Sequence, residues 1–187
     1  MELDIAKIRQ DFPILDQQIN GHPLIYFDNA ATTQKPNVVI DAMATYYRQT
    51  NSNVHRSVHR LGEQATEQYE NTRAKVQHFI NAQSPHECIF VRGVTEAINC
   101  VAHSFVMPRI EKGEEILLTY MEHHSNIVPW QLICNKTGAN LRVLPITEDG
   151  ELDIDAIAEK MTDNTKFLAI GHVSNALGTI NPIKQII

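Results

Sequence analysis

The sequence is poor in the features that would place it in several large functional classes. It has no run of Lys or Arg, and its formal charge is −6. Phosphate-backbone contacts need a basic surface, so nucleic-acid binding is disfavoured. It has no apolar run near the roughly 20 residues that span a bilayer. Its amino end, Met1-Glu2-Leu3-Asp4-Ile5, lacks a basic region followed by an apolar one, so no signal peptide is expected. Cysteine is scarce: Cys88, Cys100 and Cys134 are three and widely spaced. That is neither a disulfide frame nor a zinc pattern, and it suits reduced, mostly buried thiols of a cytoplasmic protein. There is no G-x-G-x-x-G fingerprint and no P-loop lysine. No internal repeat or low-complexity segment is present. What remains is a profile of 43% apolar and 20% charged residues over 187 positions. It is that of a soluble globular chain with a core of ordinary size.

The amino end reads as an amphipathic helix. Ile5, Ile8, Phe12 and Leu15 follow a helical step that Pro13 ends. Asn20-Gly21 signals a turn. Leu24-Ile25-Tyr26-Phe27 reads as a short strand. The small and polar run Asp28-Asn29-Ala30-Ala31-Thr32-Thr33 follows it, and such residues let a ligand approach the backbone. Pro36 opens a helix with Val39, Ala42, Met43 and Tyr46 on one face. Residues 50–61 form a polar loop with two His-Arg pairs, His55-Arg56 and His59-Arg60. Ala65, Tyr69, Thr72, Val76, Phe79 and Ile80 then mark a long amphipathic helix.

From residue 88 the pattern changes. Short apolar blocks at Cys88–Val91, Glu115–Leu118, Leu141–Leu144 and Phe167–Ile170 read as four strands. Helices at Val94–Phe105, Pro129–Lys136 and Ile154–Met161 alternate with them, Gly138 stopping the second. Continuous apolar strands imply a sheet covered on both faces, so the fold class is α/β with a three-layer, mostly parallel sheet. Asn181 reads as the cap of a last helix. Ile183, Ile186 and Ile187 are then expected to have few partners, which suggests the front part of a longer protein.

Three strand ends carry polar residues in register. Gly93-Val94-Thr95 joins a strand to a helix start. The first helical N–H groups are unpaired and sit at the positive end of the dipole, so the place suits one phosphate, although a well-capped helix reads the same way. Met121-Glu122-His123-His124-Ser125-Asn126 leaves the next strand. Neighbouring side chains point apart, so His123 and His124 are not expected to share a metal. One imidazole over a planar group fits better, with an ordinary polar loop as the alternative. His172-Val173-Ser174-Asn175 leaves the fourth strand. In open α/β sheets ligands bind at that edge. Phosphate cradle, flat imidazole and carboxamide together suit a planar phosphorylated cofactor such as pyridoxal phosphate.

At these residues the sequence resembles the class-V, fold-type-I pyridoxal-phosphate enzymes, and among them the Suf-system cysteine desulfurases with the related selenocysteine lyases. The stretches that carry the likeness are Tyr26–Ala31, Asn53-Val54-His55-Arg56, Phe90-Val91-Arg92-Gly93, Met121–Gln131 and His172–Gly178. They span almost the whole chain. The resemblance implies that residues 1–33 form an amino-terminal helical segment near the small domain and substrate edge. Residues 34–187 would be an incomplete large domain. It implies that Gly93, Val94 and Thr95 hold the cofactor phosphate, and that His123 stacks on the ring and shuttles protons. Asn175 would contact ring and substrate carboxylate. Ala30 and Ala31 would lie at the substrate edge, and His55 and Arg56 at the pocket mouth or dimer interface. Val94 departs from the pattern, since many relatives have Thr there. No metal is implied. The implied reaction takes L-cysteine to L-alanine and passes sulfur, as a persulfide, to an acceptor protein of iron–sulfur cluster assembly. A homodimer is implied. The family's Schiff-base lysine and persulfide cysteine have no matching motif here, since Lys166 and Lys184 lack the Ser-x-His-Lys setting. The chain alone is therefore expected to be inactive. Selenocysteine lyase and a non-catalytic binding fragment are the alternatives.

Overall fold

The apolar block at Glu115–Thr119 is where the best-packed core of the chain is built. In the computed structural model, which describes residues 3–187, Ile116, Leu117, Leu118 and Thr119 are all fully buried. The chain divides into two compact units, residues up to Ile89 and residues from Phe90 to Ile187.

The first unit is mainly helical. Helix α1 (Ile5–Gln10) starts at Asp4, whose carboxylate accepts the Lys7 N–H at 3.0 Å. A two-residue hairpin, β1 (Gln18–Ile19) and β2 (His22–Pro23), turns on Asn20 and Gly21, both at positive φ. Helix α2 (Asn37–Gln49) follows Pro36, and α3 (Arg60–Phe79) is the longest element. Leu24–Phe27 forms no strand, contrary to the reading of its apolar run. Phe27 is 93% exposed. An apolar block becomes a strand only where a neighbour supplies a ladder, and β2 stops at Pro23.

The second unit is the α/β part. Helix α4 (Val94–Val101) runs on through a π-type turn over Ala102–Val106. Strand β3 (Glu115–Thr119), helix α5 (Val128–Thr137), strand β4 (Asn140–Leu144), helix α6 (Ile154–Lys160), strand β5 (Thr165–Ala169) and the short α7 (Ile183–Ile186) follow. The sheet order is β4-β3-β5, and both pairings are parallel. Gly138 ends α5 at φ +79°, its N–H on the Cys134 carbonyl, as its position after Lys136 leads one to expect.

Side chains alternate across β3, so one strand feeds two cores. Ile116 and Leu118 pack with Ala102, Val106, Trp130 and Ile133, and the Trp130 ring lies 4.7 Å from that of Phe167. Leu117 points the other way, to Leu144, Leu152 and Ile157. Both faces are covered, which is the three-layer arrangement that continuous apolar strands require.

Two expectations fail here. Cys88–Val91 is not a strand, so among the described residues the sheet has three strands rather than four; Ile89 is largely exposed. Asn181 does not cap α7; Pro182 stands there instead. The Asn181 amide is turned inward, 1% exposed, and donates to the Gly171 carbonyl at 2.6 Å. Its buried NH₂ is satisfied by this backbone carbonyl, so the side chain is not available to cap α7. Ile186 does find partners, on the Leu117 side of the sheet, while Ile187 is 96% exposed.

Candidate functional site

The strand-end loops of the second unit are tied together by named contacts. Helix α4 packs against the turn His124–Asn126. That turn leads into α5, and Glu122, just before it, reaches the loop after β5. Gly93–Thr95, His123 and the His172–Asn175 loop thus belong to one connected region.

At the start of α4, Gly93 has extended backbone, φ 166°, and a Cβ built there would meet no atom within 4 Å. The space over this helix end is therefore open. The first N–H groups of α4 have no acceptor within the helix. Thr95 is exposed in the first turn. Arg92, Gly93, Thr95, Glu96 and Asn99 line a hollow of about 580 Å³. Glu96 folds back over the helix end, where it accepts from the Arg92 N–H at 2.7 Å and from its guanidinium twice at 3.1 Å. The Arg92 guanidinium and then its backbone N–H hold the Glu96 carboxyl below its usual range. Arg92 thereby offsets a carboxylate that would otherwise oppose an anion at this dipole end. A phosphate monoester fits this arrangement: open space, free N–H groups, a hydroxyl and a nearby guanidinium.

His123 is exposed, and its ring is fixed from below. The Ser125 N–H donates to His123 Nδ1 at 3.2 Å, and the Ser125 hydroxyl lies 2.8 Å from the same nitrogen. A nitrogen that accepts a backbone N–H carries no proton, so in the neutral ring the proton sits on Nε2. This tautomer is assigned from the hydrogen-bond network. The rings of His123 and His124 stand at 90°, centroids 6.2 Å apart.

The residue that holds this turn in place is Glu122. Its Oε1 accepts the Thr119 hydroxyl at 2.6 Å, its Oε2 accepts the Asn126 amide at 2.7 Å, and both oxygens accept the Gly171 N–H, at 3.0 and 3.1 Å. Asn126 in turn accepts the Trp130 indole N–H at 3.0 Å. Neither Glu122 nor Gly171 is among the site candidates that the sequence offers. The available signal was a carboxylate directly before the histidine pair and a glycine directly after a strand.

The other expected residues are placed as follows. Asn175 lies exposed in the turn after β5, a turn closed by the Ser174 N–H to the Thr179 carbonyl and by Gly178 N–H to Ser174. In the first unit, Ala30 and Ala31 are exposed in a turn that Tyr26 closes, its hydroxyl donating to the carbonyls of Asp28 and Thr32. His55 holds φ +64°, its N–H on the Thr66 hydroxyl and its Nε2 2.6 Å from Glu70. Arg56 beside it is exposed. The 50–61 segment is thus anchored to α3 rather than freely solvated. Cys88 and Cys134 are buried, and burial pushes the Cys134 thiol up. Cys100 is exposed, so two of the three thiols are buried, in line with the reading of mostly buried cysteines.

The class-V aminotransferase family model matches residues 25–187. The chain belongs to the class-V aminotransferase family. Members of this family depend on pyridoxal phosphate. The chain is 53% identical over 184 residues to a probable cysteine desulfurase of Halalkalibacterium halodurans, covering 98% of this chain and 45% of that protein. It is 52% identical over 184 residues to a cysteine desulfurase of Synechococcus elongatus, covering 98% of this chain and 29% of that protein. Its fold superposes with a TM-score of 0.88 on the apo cysteine desulfurase of Thermococcus onnurineus NA1, at 37% identity, over all of this chain and 44% of that one. The chain thus spans less than half the length of these relatives.

Proposed function

We propose that this chain is the part of a cysteine desulfurase that holds the phosphate end and one ring face of pyridoxal phosphate. The observation that carries the reading is the packing of α4 against the His124–Asn126 turn, which brings an open helix N-terminus and an exposed imidazole into one region. The N–H groups of Val94 and Thr95, with the Thr95 hydroxyl, bind the phosphate beside Gly93. His123 lies on the ring and moves a proton through Nε2. Asn175 binds the substrate carboxylate. When bound, the cofactor supplies the electron sink for the reaction. The substrate is L-cysteine, with L-selenocysteine as its analogue. The product is L-alanine, and the sulfur passes as a persulfide to an acceptor protein for iron–sulfur assembly in the cytoplasm.

Bound alone, this chain holds cofactor without turnover. Lys166 is engaged with Glu114 at 3.7 Å and with the Asp163 carbonyl at 2.9 Å. Neither it nor Lys184 stands in the family's lysine motif, and the buried Cys134 thiol is kept protonated. The test is to titrate the chain with pyridoxal phosphate, reduce with borohydride, map labelled peptides and assay alanine from cysteine and selenocysteine. Saturable binding competed by inorganic phosphate, scattered substoichiometric lysine labelling and no alanine are expected. Absence of binding at millimolar cofactor would overturn the phosphate site. Stoichiometric labelling of one lysine with alanine release would overturn the lack of turnover.

A further inference from the structure

The Gly171 peptide is gripped from both sides. Its N–H donates to both oxygens of Glu122, and its carbonyl accepts the buried Asn181 amide at 2.6 Å. The same Asn181 nitrogen lies 3.4 Å from the Met121 sulfur. Thus Glu122 is bound directly to Gly171, and Met121 touches the Asn181 amide that holds the same peptide from its other side. The approach is close: a Cβ at Gly171 would stand 3.3 Å from Glu122 Oε2, so the carboxylate would have to give by a few tenths of an ångström. The other donors to the carboxylate come from the fully buried Thr119 at the end of β3 and from Asn126 in the turn. Three segments therefore converge on one carboxylate: the end of β3, the His123 turn through Asn126, and the loop after β5; Asn126 also accepts the indole N–H of Trp130 on α5.

We propose that Glu122 is a positioning residue that locks the His123 turn to the Gly171–Asn175 loop, so that imidazole and carboxamide are presented as one rigid set. Its use in cofactor binding rests on the function proposed above; the lock itself does not. The geometry also says what can replace it. A Gln at 122 keeps one acceptor oxygen for Asn126 and Gly171, and its amide NH₂ can donate to the Thr119 oxygen, since a hydroxyl both donates and accepts. An Ala keeps neither.

The experiment compares the chain with Glu122→Ala, Glu122→Gln and Thr119→Val. Amide exchange at Gly171 and at the core positions Ile116, Leu118 and Leu144 is followed, together with the ¹⁵N shifts of the His123 ring. In Glu122→Ala, Gly171 exchange should rise by roughly 10- to 100-fold, the loss of hydrogen bonds to a charged group. The core amides should stay near the parent values, and the His123 nitrogens should shift toward the tautomer average. Glu122→Gln should restore Gly171 and His123 to about the parent behaviour. Thr119→Val, which leaves Glu122 two of its three donor groups, should give an intermediate effect and keeps the test open if the Ala variant does not fold. Pyridoxal phosphate affinity should fall about tenfold in Glu122→Ala while inorganic phosphate affinity stays within about twofold, because the ring contacts and not the helix end are displaced. Uniform acceleration of all amides, or Gly171 and His123 unchanged in both Glu122→Ala and Thr119→Val, would overturn the lock. A parent chain that binds no pyridoxal phosphate overturns the proposed function alone, and the exchange data then still decide the lock.

Discussion

The two units of this chain handle apolar residues in opposite ways. In the unit from Phe90 to Ile187, the apolar blocks are covered: Ile116, Leu117, Leu118, Trp130, Ile133 and Leu144 are each at most 2% exposed. In the unit up to Ile89, the apolar stripe of α3 is equally regular in sequence, yet within that helix only Gly62 and Ala65 are buried and Phe79 is 89% exposed. Helix α2 buries none of its residues, although Val38, Ile40, Met43 and Tyr47 are all apolar and exposed. Periodicity marks which face a helix can bury. Burial itself needs a second layer, which β3 supplies in one unit by feeding cores on both its faces.

This contrast should break first at Trp130. Replacing Trp130 with Ala removes a ring packed between α5 and the sheet and leaves a cavity, at a cost of about 3–5 kcal/mol in denaturant unfolding. A cost below about 1 kcal/mol would show that the second unit is no better packed than the first. Thr95→Val acts on the ligand rather than the core. It should weaken pyridoxal phosphate binding by about 1.5–3 kcal/mol, one charge-assisted hydrogen bond, with the melting temperature of the free chain unchanged. Equal dissociation constants would reduce Thr95 to a residue of the helix start.

A smaller effect belongs to Glu115, which joins the sheet's lower edge. It accepts from Arg142 at 2.8 Å and from the Thr162 and Thr165 hydroxyls at 3.2 and 3.3 Å. The Arg142 hydrogen bond, against the opposing effect of burial, leaves this carboxyl below its ordinary value. A carboxyl lowered by folding stabilises above its unfolded pKa, and that stability is lost as the pH falls through its folded pKa. Glu115→Gln should therefore cost ~0.5–1 kcal/mol near neutral pH, discounted because Arg142 is partly exposed. The gap between variant and parent should close in acid, below the usual carboxylate range. A gap that is constant with pH would mean that shape rather than charge is at work. Smallest of all is Phe79→Ala, which should change stability by no more than about 0.5 kcal/mol, since its ring touches mostly solvent.

What was legible in the sequence follows the same division. Strands β3, β4 and β5 and helices α5 and α6 were readable because continuous apolar blocks and amphipathic stretches recorded a sheet with two covered faces. Leu24–Phe27 and Cys88–Val91 are apolar blocks of the same kind, but a ladder partner is not written in a block's own residues. The candidate loops were readable because polar residues sit directly after strands. Glu122 was not, because its meaning lies in a hydrogen bond to a residue 49 positions away, and that of Asn181 in a contact 60 positions away. Local chemistry was visible, and the long-range ties that aim it were not.

The most direct test of the central claim is an NMR titration of the whole chain with pyridoxal phosphate and, separately, with inorganic phosphate. Both probes should move the amides of Val94, Thr95 and Glu96, and only pyridoxal phosphate should move the His123 ring. Shifts confined to other surfaces, or a His123 ring that responds equally to inorganic phosphate, would contradict that claim.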